Sequence, residues 1–229
     1  MSIKDNIVYI QENIIESARK AGRNPEDILL LAVTKTVPVE RIREAYDLGL
    51  KACGENRVQE YTAKVDVLPK DIDWHIIGRL QRNKVKYIAG KVNLIHSLCA
   101  ENVADEIQRI SENRDCITDC LIEVNVTGEE SKDGVSPKEL DRFIDYVSRL
   151  DRIRVKGLMT IGRFSPDPED ARAAFAELRE IYDKLSSTKT DRFMMEYLSM
   201  GMSGDYQVAI EEGSNIVRVG SAIFGERIY

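Results

Sequence analysis

Histidine occurs twice and tryptophan once in 229 residues, and only four cysteines are present. Among Cys53, Cys99, Cys116 and Cys120 only the last two are close, with three residues between them, which is not the spacing of a zinc knuckle. On a strand those two would face one side and act as small apolar groups. No disulfide framework is in view, and a reducing compartment, the cytoplasm, is the expectation. No segment reaches the ~18 apolar residues that a bilayer-crossing helix needs. The amino terminus, Met1-Ser2-Ile3-Lys4-Asp5-Asn6, meets charge before any apolar run, unlike a secretory signal. Basic clusters are missing as well. Lys and Arg total 33 against 39 Asp and Glu, a net charge of −6, so neither nucleic acid nor an anionic membrane is the expected partner. No proline- or glycine-rich linker breaks the chain, which reads as a single domain over residues 1–229.

What the sequence does have is an alternation. An amphipathic stretch from Ile3 to Ala21 carries Ile7, Ile10, Ile14 and Ala18 on one stripe and stops at Gly22. Leu29-Leu30-Leu31-Ala32-Val33 then reads as a strand buried on both faces, the pattern of a parallel sheet. Pro38 is placed to open a helix ending near Gly49. The cycle repeats with strands at Lys51–Gly54, Trp74–Ile77, Val92–His96, Leu121–Val126, Val155–Thr160, Glu196–Ser199 and Asn215–Gly220. Helices are expected around Val58–Val67, Arg82–Ala89, Val103–Ile110, after a capping box at Ser136-Pro137-Lys138-Glu139, and from Asp167-Pro168 onward. Ser203 reads as the cap of a helix that stops at Gly213. Eight β-then-α units in this length predict an α/β fold, a closed (β/α)8 TIM barrel with an extra amino-terminal helix. A doubly wound open sheet is the alternative, weakened because no dinucleotide-binding glycine fingerprint follows the first strand.

In such barrels the chemistry sits at the carboxyl ends of the strands. Lys35 falls there, just after the first strand. Partial desolvation would make its amine a nucleophile toward an aldehyde. The position also suits a rim lysine with a buried stem and a solvated ammonium. After strands seven and eight come Ser199-Met200-Gly201-Met202-Ser203 and Arg218-Val219-Gly220-Ser221-Ala222. Their backbone N–H groups, hydroxyls and a short helix beginning near Ser221 would suit a phosphate, though small residues also simply make tight turns. Lysine and loops become neighbours once the barrel closes. Together they describe a phosphorylated aldehyde as ligand.

The blocks Ala32–Lys35, Gly54–Glu60, Trp74–Lys84, Gly157–Thr160, Leu198–Ser203 and Val217–Gly225, in this order, resemble the pyridoxal phosphate homeostasis protein family. That family shares the barrel of the alanine racemase N-terminal domain. The resemblance implies pyridoxal 5′-phosphate as cofactor, carried on Lys35 as a Schiff base. It implies that Ser199, Gly220 and Ser221 hold the phosphate, that Asn56 lines the cofactor face, and that Arg218 faces the pyridine nitrogen. A guanidinium only donates hydrogen bonds, so it would keep that nitrogen unprotonated and the ring a weak electron sink. Lys132-Asp133-Gly134 also looks family-like but reads as a solvated loop.

Three functions follow: a non-enzymatic carrier of the cofactor in vitamin B6 homeostasis, an amino-acid racemase, and a lysine-dependent aldolase. Racemisation needs acid–base groups on both cofactor faces, one of which the racemases take from a second domain at a dimer interface. The chain runs only to Tyr229, so a carrier without turnover, monomeric and exchanging cofactor with apoenzymes, is the expectation. His75 and His96 read as packed rim residues ending strands three and four, and Tyr9, Tyr61 and Tyr87 as packing groups on helices. The aldolase needs a lysine near strand six, and Lys156 lies at that strand's entry, the wrong end.

Overall fold

Ser2 starts the first helix, α1 (Ile3–Lys20), through a reciprocal cap: Asp5 N donates to Ser2 Oγ and Ser2 N donates to the Asp5 carboxylate. The stripe Ile3, Ile7, Ile10, Ile14 and Ala18 is buried, and Gly22, at φ 67°, ends the run. The computed structural model describes residues 2–129, 132–163, 165–187 and 190–225.

Eight parallel strands follow: β1 (Leu29–Val33), β2 (Ala52–Glu55), β3 (Asp73–Ile76), β4 (Leu94–Leu98), β5 (Thr118–Glu123), β6 (Ile153–Met159), β7 (Phe193–Met202) and β8 (Ile216–Val219). They pair in sequence order, and β8 closes on β1 through Leu29–Ala32 opposite Ile216–Val219. The fold is a closed TIM barrel, as the alternation predicts, and the open sheet is excluded. Helices α2 (Val39–Asp47), α3 (Val58–Lys64), α4 (Glu101–Asn113), α5 (Leu140–Val147), α6 (Arg172–Ser186), α7 (Tyr206–Glu211) and α8 (Ser221–Phe224) connect and flank the strands.

Inside the barrel Leu29, Leu31, Val33, Ala52, Ile77, Leu94, Leu121, Met159, Ile161, Tyr197 and Ile216 pack together. Outward-facing residues of β1 and β8 (Leu30, Ala32, Val217 and Val219) pack instead with the isoleucines of α1 and with Ile223 and Phe224. With α8 so short, α1 supplies cover for this side of the barrel.

Several expectations shift. The β3–β4 crossover is a 3-10 turn over Arg82–Tyr87, not an α-helix; its first residues have no side-chain cap and only Val85 is buried. β5 ends three residues before Val126 because Asn125 turns the chain out of the sheet: its amide donates to Glu129 O and Lys132 O and accepts from Gly128 N. Ser136 and Glu139 pair side chain to side chain in a turn that precedes α5, so they do not form its capping box. Cys116 lies ahead of β5, against Gly90, and does not share a strand face with the buried Cys120. Tyr61 packs edge-on against Trp74, whereas Tyr9 and Tyr87 are exposed.

Candidate functional site

At the carboxyl ends of the strands lies a cavity of about 420 Å³. Lys35, Asn56, Arg218, Gly220 and Ser221 all line it, so five of the six expected residues converge there. Ser199 does not. It is fully buried beneath, where its hydroxyl accepts from Arg218 Nη1 at 2.7 Å and meets His96 Nδ1 at 3.0 Å. Ser203, four residues on and just past the end of β7, lines the cavity instead. β7 continues to Met202, three residues past the end expected at Ser199.

Ser203 also does not cap α7, which starts after Asp205. Its Oγ instead accepts from Gly220 N at 3.2 Å and Ala222 N at 3.4 Å. Two backbone donors of the β8–α8 turn thus converge on one oxygen at the cavity wall. Gly220 is pressed against β1: a Cβ there would stand 3.2 Å from Val33 Cβ.

Lys35 sits in a tight turn after β1 whose next residue, Thr36, has φ 62°. Glu60 of α3 holds that turn by accepting from Thr36 N at 2.6 Å. Beneath it, Glu55 Oε1 accepts from Thr34 Oγ1 at 2.6 Å and from the buried Lys64 Nζ at 2.8 Å, while Lys64 also donates to Thr34 O. Burial pushes the Glu55 carboxyl up, against the pull of its bonds to Lys64 and Thr34. The block Gly54–Glu60 therefore does two jobs: its glutamates brace the lysine turn, and Asn56 faces the cavity. Gly78 leaves no room for a side chain, because a Cβ would approach Asn56 O to 2.5 Å.

Arg218 is 4% exposed and donates through Nη2 to Thr160 O at 2.8 Å. Burial lowers its pKa to about 10, partly offset by Asp205 and Glu123, so it stays cationic near neutrality. Burial and the Asp133 charge push Glu123 up to about 7, with Arg218 and Arg79 pulling the other way. Asp205 is raised by burial and accepts from Met202 N. The Lys132–Gly134 loop is only partly solvated. Lys132 donates to Glu129 and to Gly162 O, and Asp133 pairs with the exposed Arg79.

His75 and His96 are interior residues of the barrel rather than rim groups, with His75 Nδ1 2.8 Å from His96 Nε2. Lys156, expected at the entry of its strand, is the middle residue of β6; it is tied to Glu196 at 2.6 Å and does not line the cavity. Among the described residues no cluster could hold a metal ion and no helix is long and apolar enough to cross a membrane.

Residues 7–228 match the family described as alanine racemase, N-terminal domain. A pyridoxal phosphate homeostasis protein of Aquifex aeolicus is 48% identical over 230 residues, covering 100% of both chains. An unknown protein from Bifidobacterium adolescentis superposes with a TM-score of 0.90 at 38% identity, covering 97% of this chain and 94% of that one. PipY of Synechococcus elongatus, solved with PLP bound, gives 0.83 at 30% identity, covering 98% and 100%. With the barrel, the cavity and full-length likeness in agreement, the chain belongs to the alanine racemase N-terminal domain family and, within it, to the pyridoxal phosphate homeostasis proteins.

Proposed function

We infer that this protein binds pyridoxal 5′-phosphate at the barrel mouth, linked to Lys35 as a Schiff base, and carries it in cofactor homeostasis without turning over a substrate. The observation that carries this is one cavity with an amine on the β1 wall and two converging backbone N–H donors on the β8–α8 wall. The names of the full-length relatives and the PLP-bound PipY structure support it. When bound, the group supplies an electrophilic aldehyde and an electron-withdrawing ring.

The residues present fit that group. The Lys35 amine would condense with the aldehyde and release one water. Gly220 N, Ala222 N and the Ser203 and Ser221 hydroxyls would hold the phosphate, with a phosphate oxygen taking over the acceptor role that Ser203 Oγ now fills and Ser203 turning to donate. Arg218 would meet the ring nitrogen with a donor-only edge, and Asn56 would bound the ring face. The set differs from the sequence expectation in one member, Ser203 replacing Ser199.

Purified protein should show an imine absorption band in the visible range. Borohydride reduction and peptide mapping should then place a pyridoxyl group on Lys35, and Lys35→Ala should lose the band while keeping its fold. An adduct confined to another lysine overturns the assignment. A racemase remains the second reading because the family is built on a racemase barrel. Among the described cavity-lining residues, none is a tyrosine or histidine able to serve as the second acid–base group. Amino-acid racemisation well above that of free cofactor would favour the racemase. The carrier is further proposed to be a cytoplasmic monomer that hands cofactor to apoenzymes, which sedimentation and apoenzyme reactivation assays test.

A further inference from the structure

The barrel interior carries a polar column that the cofactor reading does not use. Arg218 Nη1 donates to Ser199 Oγ at 2.7 Å, Ser199 Oγ lies 3.0 Å from His96 Nδ1, His96 Nε2 lies 2.8 Å from His75 Nδ1, and His75 Nε2 lies 3.2 Å from Asp73 Oδ1. Arg218 is at the cavity, and Asp73 is the first residue of β3, at the opposite end of the barrel.

Donor chemistry gives this column a single direction. A guanidinium cannot accept, so Ser199 Oγ must accept from it. The serine proton then has one other neighbour among the described residues, His96, and points to Nδ1. With Nδ1 an acceptor, a neutral His96 carries its proton on Nε2 and donates to His75 Nδ1. His75 is left with its proton on Nε2, 3.2 Å from Asp73 Oδ1; that approach is a charge contact and not an aligned hydrogen bond, and neither atom has a hydrogen-bond partner among the described residues. Burial, with His75 and Arg218 nearby, holds His96 well below the usual imidazole range, consistent with a neutral ring.

We propose that Ser199, His96 and His75 are positioning residues: a one-way chain of hydrogen bonds runs from the Arg218 cation to the His75 ring, ends beside the Asp73 carboxylate, and fixes the guanidinium at the floor of the cavity. The proposal rests on the cofactor reading only for what the guanidinium meets. The column itself is a property of the protein alone, which makes the two separable.

The chain's two histidines are both in the column, so imidazole signals report on nothing else. Long-range proton–nitrogen correlation spectra of histidine-labelled protein, without pyridoxal phosphate, should show both rings as the Nε2–H tautomer at neutral pH, the form that the donor directions require. A proton on Nδ1 of either ring overturns the proposal. In Ser199→Ala, His96 loses its donor, and the nitrogen shifts of His75 should change as well, although His75 does not touch the serine. A change confined to His96 overturns the coupling. If pyridoxal phosphate binds, Ser199→Ala should weaken its retention about tenfold by freeing the guanidinium, and Ser199→Thr should restore it. Equal retention in all three sinks the positioning role. Should the wild-type protein show no visible band at all, the cofactor reading fails while the tautomers still decide the column.

Discussion

Glu123 ends β5 inside the barrel mouth, where burial sets its pKa at about 7 instead of 4.5. Because the folded value is raised, the neutral acid fits the native state and the carboxylate opposes it. The stabilisation is complete below the unfolded pKa and is lost as pH rises toward about 7, on the order of 3 kcal/mol. His96 works the other way: its folded pKa is depressed, so its contribution is present above the unfolded value and is lost as pH falls through the imidazole range. Denaturant midpoints of wild type and Glu123→Gln, measured from pH 5 to about 8, isolate the carboxyl. The variant should gain on the wild type as pH rises, and parallel curves would show that Glu123 stays ionised at little cost. Residues of this kind mark the limit of what the sequence discloses. Lys35, Gly220 and Ser221 are legible because each follows an apolar strand, and barrels of this type work at strand ends. Ser199 and Ser203 are not separable that way. They lie four residues apart, and only the true end of β7 at Met202 decides which of them lines the cavity. The braces of the lysine turn were hidden for another reason: Thr34, Glu55 and Lys64 are joined by folding, not by spacing.

Among the elements, α3 is a short helix whose role is to deliver Lys64 and Glu60 under the β1 turn. Lys64→Met leaves Glu55 buried beside one hydroxyl, at a cost of about 3–5 kcal/mol. Adding Glu55→Gln removes the stranded charge and should recover most of that loss in chemical denaturation. If the double variant is no better than the single one, the pair is not what α3 contributes. The β6–β7 seam depends on a different device. Gly157 sits at φ 147° where the register between the strands shifts, and a Cβ there would stand 1.8 Å from Tyr197 O. Gly157→Ala must push two strands apart, and a loss on the order of 4 kcal/mol or more is expected in denaturant titrations. The alternation of apolar runs with amphipathic stretches foretold all eight strands, since a strand covered on both faces has few polar positions to blur it. Their ends were less legible. Asn125 leaves the sheet through side-chain bonds that periodicity does not record, and the β3–β4 crossover is too short to show a helical stripe.

On the scale of the whole molecule, α1 lies outside the eightfold repeat yet reaches the cavity through its neighbours. Its isoleucines pack on β1, β8 and α8. Asn6 Nδ2 donates to Ile223 O at 2.9 Å, Asn13 Nδ2 to Tyr206 Oη at 3.0 Å, and Arg23, just beyond the helix, donates to Ile210 O and Ser214 O. The first helix thus holds from behind the same α7 and α8 whose preceding turns present Ser203 and Gly220 to the cavity. Ile10→Ala carves a void under α1 and should cost about 2–5 kcal/mol. Asn6→Ala removes one hydrogen bond and little volume, costing about 1 kcal/mol. If α1 braces the β8–α8 turn, hydrogen exchange at the Gly220 and Ala222 amides should quicken in Asn6→Ala while amides of β3 and β4, on the far side of the barrel, keep wild-type protection. Uniform acceleration would mean that Asn6 adds only global stability. Unchanged exchange would mean that the turn holds itself, and that α1 merely covers apolar surface which so short an α8 leaves bare.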